Sequence, residues 1–212
     1  MDTLLFGLAN PAKSILPQSH KAFWPAPLRP NNPQKAIRLL EQAGFELDEQ
    51  GVRVRLRFST TNNPSTMLLV QAIQHQLRQV GIELETNVSE WGTFYGNILK
   101  GNFQMYLLTW VGVFDADIYK SLFHSEKKPP GGANRGRFDN GKMDGLIDKL
   151  WQPNANKTTV TRNIQKLQHQ RLPYVPLWQR HNIAILHPNV RGFTLTPDGS
   201  YKGLLNTYVA QQ

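Results

Sequence analysis

The chain has 212 residues, 24 Lys+Arg against 15 Asp+Glu for a net charge of +9, and no Cys. At 40% hydrophobic and 18% charged it is too apolar for intrinsic disorder, and no apolar run approaches the ~20 residues that a membrane helix needs. Without Cys, neither a disulfide framework nor a thiolate metal site is possible.

The opening run Met1-Asp2-Thr3-Leu4-Leu5-Phe6 has an acid where a secretory signal wants a base, and Asn10-Pro11 breaks it. No signal peptide is expected in this chain. The bases are dispersed. Their densest groupings, Arg53/Arg55/Arg57 and Arg135/Arg137, are not polybasic blocks, so a solvated basic surface is expected. A small basic nucleic-acid-binding protein is the alternative reading of the charge.

Residues 1–32 carry Pro11, Pro17, Pro25, Pro27 and Pro30 and read as an extended strap, anchored by Phe23 and Trp24. Asn32-Pro33 opens a helix with an Ala36/Ile37/Leu39/Leu40/Ala43 stripe, closed by Gly44. Val52, Val54, Leu56 and Phe58 alternate with Arg53, Arg55 and Arg57, the period of a half-buried strand. Pro64 opens a second helix (Met67, Val70, Ile73, Leu77, Val80), ended by Gly81, and Ile82, Leu84, Thr86 and Val88 make the next strand. Ser89 is expected to cap a helix carrying Trp91, Phe94, Tyr95, Ile98 and Leu99, with Gly101 at its end. The near-continuous apolar run from Phe103 to Trp110 predicts a strand covered on both faces. Strand, helix, strand, helix, strand is the grammar of a mostly parallel sheet flanked by helices.

Past Trp110 a short helix over 118–123 leads into the loop 127–137, followed by helices near 142–151 and 158–170. Two short strands are expected at 174–178 and 183–186. Residues 189–212, with Gly192, Pro197, Gly199 and Gly203, form a second strap. The organisation read here is a strap over 1–32, an α/β lobe over 33–188, and a returning strap over 189–212.

Ligands on open α/β sheets bind beyond the carboxyl ends of strands, which directs attention to Trp110 and the segment through Asp115 and Asp117. An indole supplies a rigid apolar wall, and a carboxylate can receive a cation or a ligand amine. The plainer alternative makes Trp110 core and Asp115 a helix cap. Asn134, Arg135 and Arg137, on the glycine-rich loop 131–137, can hydrogen-bond a ligand or another part of the protein. Asp115 and Asp117 lack the remaining oxygens of a calcium loop. The six His show no metal-ligand spacing, and GxSxG, Walker A and GxGxxG sequences are missing. No catalytic residue, metal or cofactor is therefore assigned, and no enzyme is expected.

Several stretches resemble one family. Ala36, Leu39-Leu40 and Ala43-Gly44-Phe45 are similar to the "A…LL…AGF" signature of family 5 extracellular solute-binding proteins, the dipeptide and oligopeptide receptors of ABC importers. Ile73-Gln74 with Gln76-Leu77 and Val80-Gly81-Ile82 resembles their helix-to-strand step. Gly101-Asn102-Phe103, Leu108-Thr109-Trp110 and Asp115-Ala116-Asp117 resemble "G.FD…..W…DPD". Asn134 to Phe138, Asn140 and Asp144 follow, then Gln165 with Leu172-Pro173-Tyr174-Val175-Pro176-Leu177.

The resemblance covers the second half of such a receptor. It implies the C-terminal α/β lobe of a two-lobed, type II-like periplasmic-binding-protein fold, working by closure over a peptide-like solute. An N-terminal lobe and an ABC permease are the implied partners, and no nucleic acid is expected. The full protein would be periplasmic or membrane-anchored outside the cytoplasm. Peptide-binding relatives often carry an Asp three positions past the tryptophan. Here Val113 stands there, Asp115 substitutes if one residue is deleted ahead of it, and Ala116 replaces the usual proline. The implied ligand set is thus Trp110, Val113, Asp115 and Asp117 with Asn134, Arg135 and Arg137.

Overall fold

The computed structural model describes residues 5–196 and 199–210. Most of the opening run (Met1–Leu4) and Pro197 of the closing strap lie outside the described residues. In chain order the elements are β1 (Ala9–Pro11), α1 (Pro33–Gln42), β2 (Val54–Thr61), α2 (Pro64–Arg78), β3 (Ile82–Ser89), α3 (Trp91–Lys100) and β4 (Met105–Tyr106). They continue with α4 (Ile118–Phe123), α5 (Gly141–Lys149), α6 (Lys157–Arg171), β5 (Trp178–Arg180), β6 (Val190–Arg191) and β7 (Tyr208–Val209). Two compact units divide the chain. A sheet unit holds residues 28–108 and 125–138, and a helical unit holds residues 1–27, 109–124 and 139–212.

In the sheet unit the helices start where the sequence places a cap. The side chains of Asn32 and Asn63 accept the amides of Lys35 and Thr66, each followed by a proline at the first helical position. Parallel strands lie in the order β3-β2-β4. Val54 faces Ile82 at one end of the β2–β3 ladder and Thr61 faces Ser89 at the other. Phe58, Val70 and Leu84 form the buried centre, with Leu56, Ile73, Leu77, Ile82, Met105 and Leu107 packed on it. Each fully buried side chain of this size contributes roughly 1.5–3 kcal/mol. Phe94 and Ile98 of α3 are also buried.

Two expectations change here. Glu90, not Ser89, caps α3, its carboxylate accepting the amides of Gly92 at 2.7 Å and Thr93 at 2.5 Å. Of the run 103–110, only Met105 and Tyr106 pair, opposite Phe58 and Ser59. This is a short edge strand whose residues are half-buried, because a sheet of three strands leaves its outer members only partly covered. Arg53, just ahead of β2, and Arg55 within it are not free bases either. Arg53 is paired with Glu41 at 2.8 Å, and Arg55 with Asp48 and Glu83, each at 2.9 Å.

In the helical unit the proline-rich strap is tied down. β1 pairs antiparallel with β5, Asn10 opposite Gln179. Gln179 Nε2 donates to the Leu16 carbonyl at 3.0 Å, and Ser14 Oγ lies 3.2 Å from Tyr119 Oη. Trp24 meets His169 edge-on, while Leu16, Ala22 and Ala26 are the strap's buried anchors. Tyr119, Leu122, Phe123, Met143, Ile147 and Ile164 form the core that α4, α5 and α6 share.

The two late strands differ from expectation. Leu172 ends α6 in the left-handed region (φ 49°), and Pro173 and Pro176 lack the N–H that a ladder needs, so pairing begins only at Trp178. Residues 183–186 form no strand, since a strand exists only against a partner. Ile183, Ile185 and Leu186 are consequently exposed.

Candidate functional site

The sequence-derived site residues fall into the two units. Trp110, Val113, Asp115 and Asp117 belong to the helical unit, and Asn134, Arg135 and Arg137 to the sheet unit.

Trp110 and Val113 are half-buried, while Val111 and Phe114 are exposed. Asp115 turns the chain into α4, its main-chain carbonyl accepting the Ile118 amide at 3.4 Å. Its carboxylate is 71% exposed, yet it is held. Oδ1 accepts the Ala116 amide at 2.6 Å and lies 3.1 Å from Nε2 of His20. The other ring nitrogen of His20, Nδ1, accepts the Ala22 amide at 3.1 Å. A neutral imidazole has one acceptor nitrogen and one donor, so the proton sits on Nε2 and is donated to Asp115. The Ala116 amide holds the Asp115 carboxyl below the usual carboxylate range against the opposing effect of burial, with smaller help from the His20 hydrogen bond and the charges of His20 and Lys21. Asp117, not Asp115, takes the N-cap position of α4, and its side chain makes no capping hydrogen bond.

The loop residues are engaged differently. Asn134 is fully buried. Its Nδ2 donates to the Phe138 carbonyl at 2.7 Å and its Oδ1 accepts the Phe138 amide at 3.0 Å, closing the loop on itself. Arg135 donates through Nε and Nη2 to Tyr95 Oη at 3.2 and 2.9 Å, with its guanidinium 5.2 Å from that ring's centroid. Tyr95 stacks on Trp91 at 5.4 Å. Arg137 donates to the Leu99 carbonyl at 2.8 Å. The loop is thus fastened to α3, and Asn134 is spent on the loop's own backbone.

Sequence reasoning did not single out His20 as a partner of Asp115, because 95 positions separate them. Nor did it pair Tyr95 with Arg135. The presence of a histidine in a proline-rich strap was the only available signal. Among the described residues, no three His, Asp or Glu side chains converge as metal ligands.

Residues 1–129 match the family described as bacterial extracellular solute-binding proteins, family 5 Middle. The chain belongs to this family. Among family 5 relatives, the glutathione-binding protein GsiB of Escherichia coli K12 is 27% identical over 210 residues, covering 92% of this chain and 39% of that protein. The probable di/tripeptide-binding protein 5 of Pseudomonas aeruginosa is 27% identical over 197 residues, covering 91% and 37%. Among solved structures, HbpA2 of Haemophilus parasuis superposes with a TM-score of 0.83 at 21% identity, over 98% of this chain and 41% of that one. The dipeptide-binding protein of Pseudoalteromonas sp. SM9913, in complex with Met-Leu, gives a TM-score of 0.78 at 25% identity, over 99% and 42%. The fold is that of the periplasmic binding proteins, α/β with a parallel sheet. The chain spans about two fifths of the length of the relatives it matches.

Proposed function

We propose that this chain supplies one lobe of a receptor that captures peptide-like solutes outside the cytoplasm and delivers them to an ABC importer. A second lobe, beyond these 212 residues, completes the cleft, and closure over the solute stabilises the form that docks on the permease. The receptor is periplasmic or anchored to the outer face of the cytoplasmic membrane, and it performs no covalent chemistry. The physical logic is population shift: a solute touching both lobes lowers the free energy of the closed state alone.

The observation that carries the reading is Asp115, a carboxylate held at one oxygen, open to solvent, five positions past a half-buried tryptophan. In this role Trp110 walls the pocket and Asp115 receives a cationic ligand group, with Asp117 as the second carboxylate available for it. Relatives named for glutathione and for di- and tripeptides support an ammonium-bearing ligand. Val113, Asn134, Arg135 and Arg137 are further candidate contacts.

Calorimetric titration of the full-length receptor with short peptides is the test. Trp110→Ala and Asp115→Ala should each weaken binding by roughly tenfold or more, as expected for losing a buried aromatic wall or a charge-assisted bond. Affinity unchanged in both would remove these assignments. The 212 residues alone present half a cleft and should bind peptides weakly. Submicromolar affinity of this chain by itself would contradict the two-lobe reading.

A further inference from the structure

Two donors occupy the same oxygen of Asp115, the Ala116 amide at 2.6 Å and His20 Nε2 at 3.1 Å. A carboxylate oxygen offers two lone-pair directions, so Oδ1 is filled while Oδ2 keeps both of its own. His20 is not free to swing away. Its side chain is only 10% exposed, and its Nδ1 is held by the Ala22 amide. Ala22 is held in turn, its carbonyl accepting Gln165 Nε2 of α6 at 2.7 Å. A rigid relay therefore runs from the buried core to a solvent-facing carboxylate. Lys21 lies near enough to act on Asp115 by charge, but it makes no hydrogen bond to it and leaves Oδ2 open.

We infer that His20 is a positioning residue that sets the ligand class of this site: by filling Oδ1 it turns Asp115 into a one-oxygen acceptor that takes a ligand ammonium and disfavours a guanidinium. An ammonium is a compact point charge that one oxygen can serve. A guanidinium binds carboxylate best as a planar fork on both oxygens, and here one prong meets a filled site. The inference rests on the reading of Asp115 as the receiver of the ligand's cation.

The test uses His20→Gln, which keeps an N–H donor, His20→Phe, which keeps a ring without one, and Asp115→Asn, in the full-length receptor. The probes are Ala-Ala, which carries an ammonium, and Nα-acetyl-arginine amide, which carries only a guanidinium. The wild type should prefer Ala-Ala. His20→Phe should lose roughly tenfold in Ala-Ala affinity and narrow the preference, while His20→Gln should stay near the wild type. Wild-type affinity and preference in His20→Phe would overturn the inference and leave the role of Asp115 standing. Undiminished Ala-Ala binding by Asp115→Asn, or no Ala-Ala binding by the wild type, would instead overturn the reading beneath it. A ligand-free readout covers variants that bind nothing: the Asp115 carboxyl carbon, followed by NMR in the 212-residue chain. Its midpoint should rise in His20→Phe but not in His20→Gln, and the same midpoint in both would sink the relay.

Discussion

Gln165 and Trp24 lie 141 positions apart in the chain and share a hydrogen bond of 3.0 Å, the Trp24 amide donating to Gln165 Oε1. The same side chain donates to the Ala22 carbonyl, so one glutamine on α6 grips the strap on both sides of Phe23.

Gln165→Leu keeps the volume but strands a strap carbonyl and amide, each costing about 1–3 kcal/mol when left unsatisfied. A loss of about 2–4 kcal/mol is expected in urea unfolding. A shift under about 0.5 kcal/mol would mean that the strap is held by its apolar anchors alone.

Tyr119 is fully buried, and burial pushes its phenol well above the ordinary tyrosine range, against hydrogen bonds with Ser14 and the Leu16 backbone. A folded-state value raised above the unfolded value of about 10 means that its contribution is intact below pH ~10 and lost as pH climbs beyond that. In ultraviolet titrations, wild type and Tyr119→Phe should differ by one tyrosine only once the protein has unfolded, because Tyr119 ionises with unfolding. Tyr119→Phe should move the alkaline unfolding midpoint upward. A difference of one tyrosine already present while both proteins are folded would contradict the burial argument.

Gly132 is needed for space. A methyl group there would stand 2.4 Å from the Lys127 carbonyl oxygen and 2.6 Å from its carbon, both backbone atoms that cannot rotate aside. Lys127 also receives the Asn134 amide at 2.7 Å, so any shift loosens the loop closure. Gly132→Ala should cost about 1–3 kcal/mol in thermal or urea unfolding. Gly131→Ala, with nothing within 4 Å of the added carbon, is the matched control and should be near neutral.

Much of the sheet unit was legible because its signals are local. Asn-Pro pairs start α1 and α2, glycines at positive φ follow α1 and α3, and the Val52–Phe58 alternation marks the central strand. Family membership was legible too, through short stretches in fixed order. Contacts between distant positions were not. His20 serving Asp115, 95 positions away, is such a contact; the choices of Glu90 over Ser89 as a cap and of Phe138 as the partner of Asn134 are local, but residue type alone does not decide them. Apolar runs also mislead when a partner strand decides the outcome, as at residues 107–110 and 183–186, where composition favours a strand but no neighbour pairs. Trp110 and Asp115 were found by a positional rule about strand ends, which says where a ligand could meet the chain but not which oxygen stays open.

The unpaired stretch at 183–186 has a practical consequence for anyone handling this protein. Ile185 is 96% exposed, beside Ile183 and Leu186, on backbone whose amides and carbonyls are unclaimed by any ladder. Such a segment is a template for self-association, so the chain on its own should precipitate at concentrations where its charge of +9 would otherwise keep it dispersed. Ile185→Lys should raise the concentration at which light scattering appears while leaving the urea midpoint within about 0.5 kcal/mol. If scattering begins at the same concentration in both proteins, the sticky surface lies elsewhere.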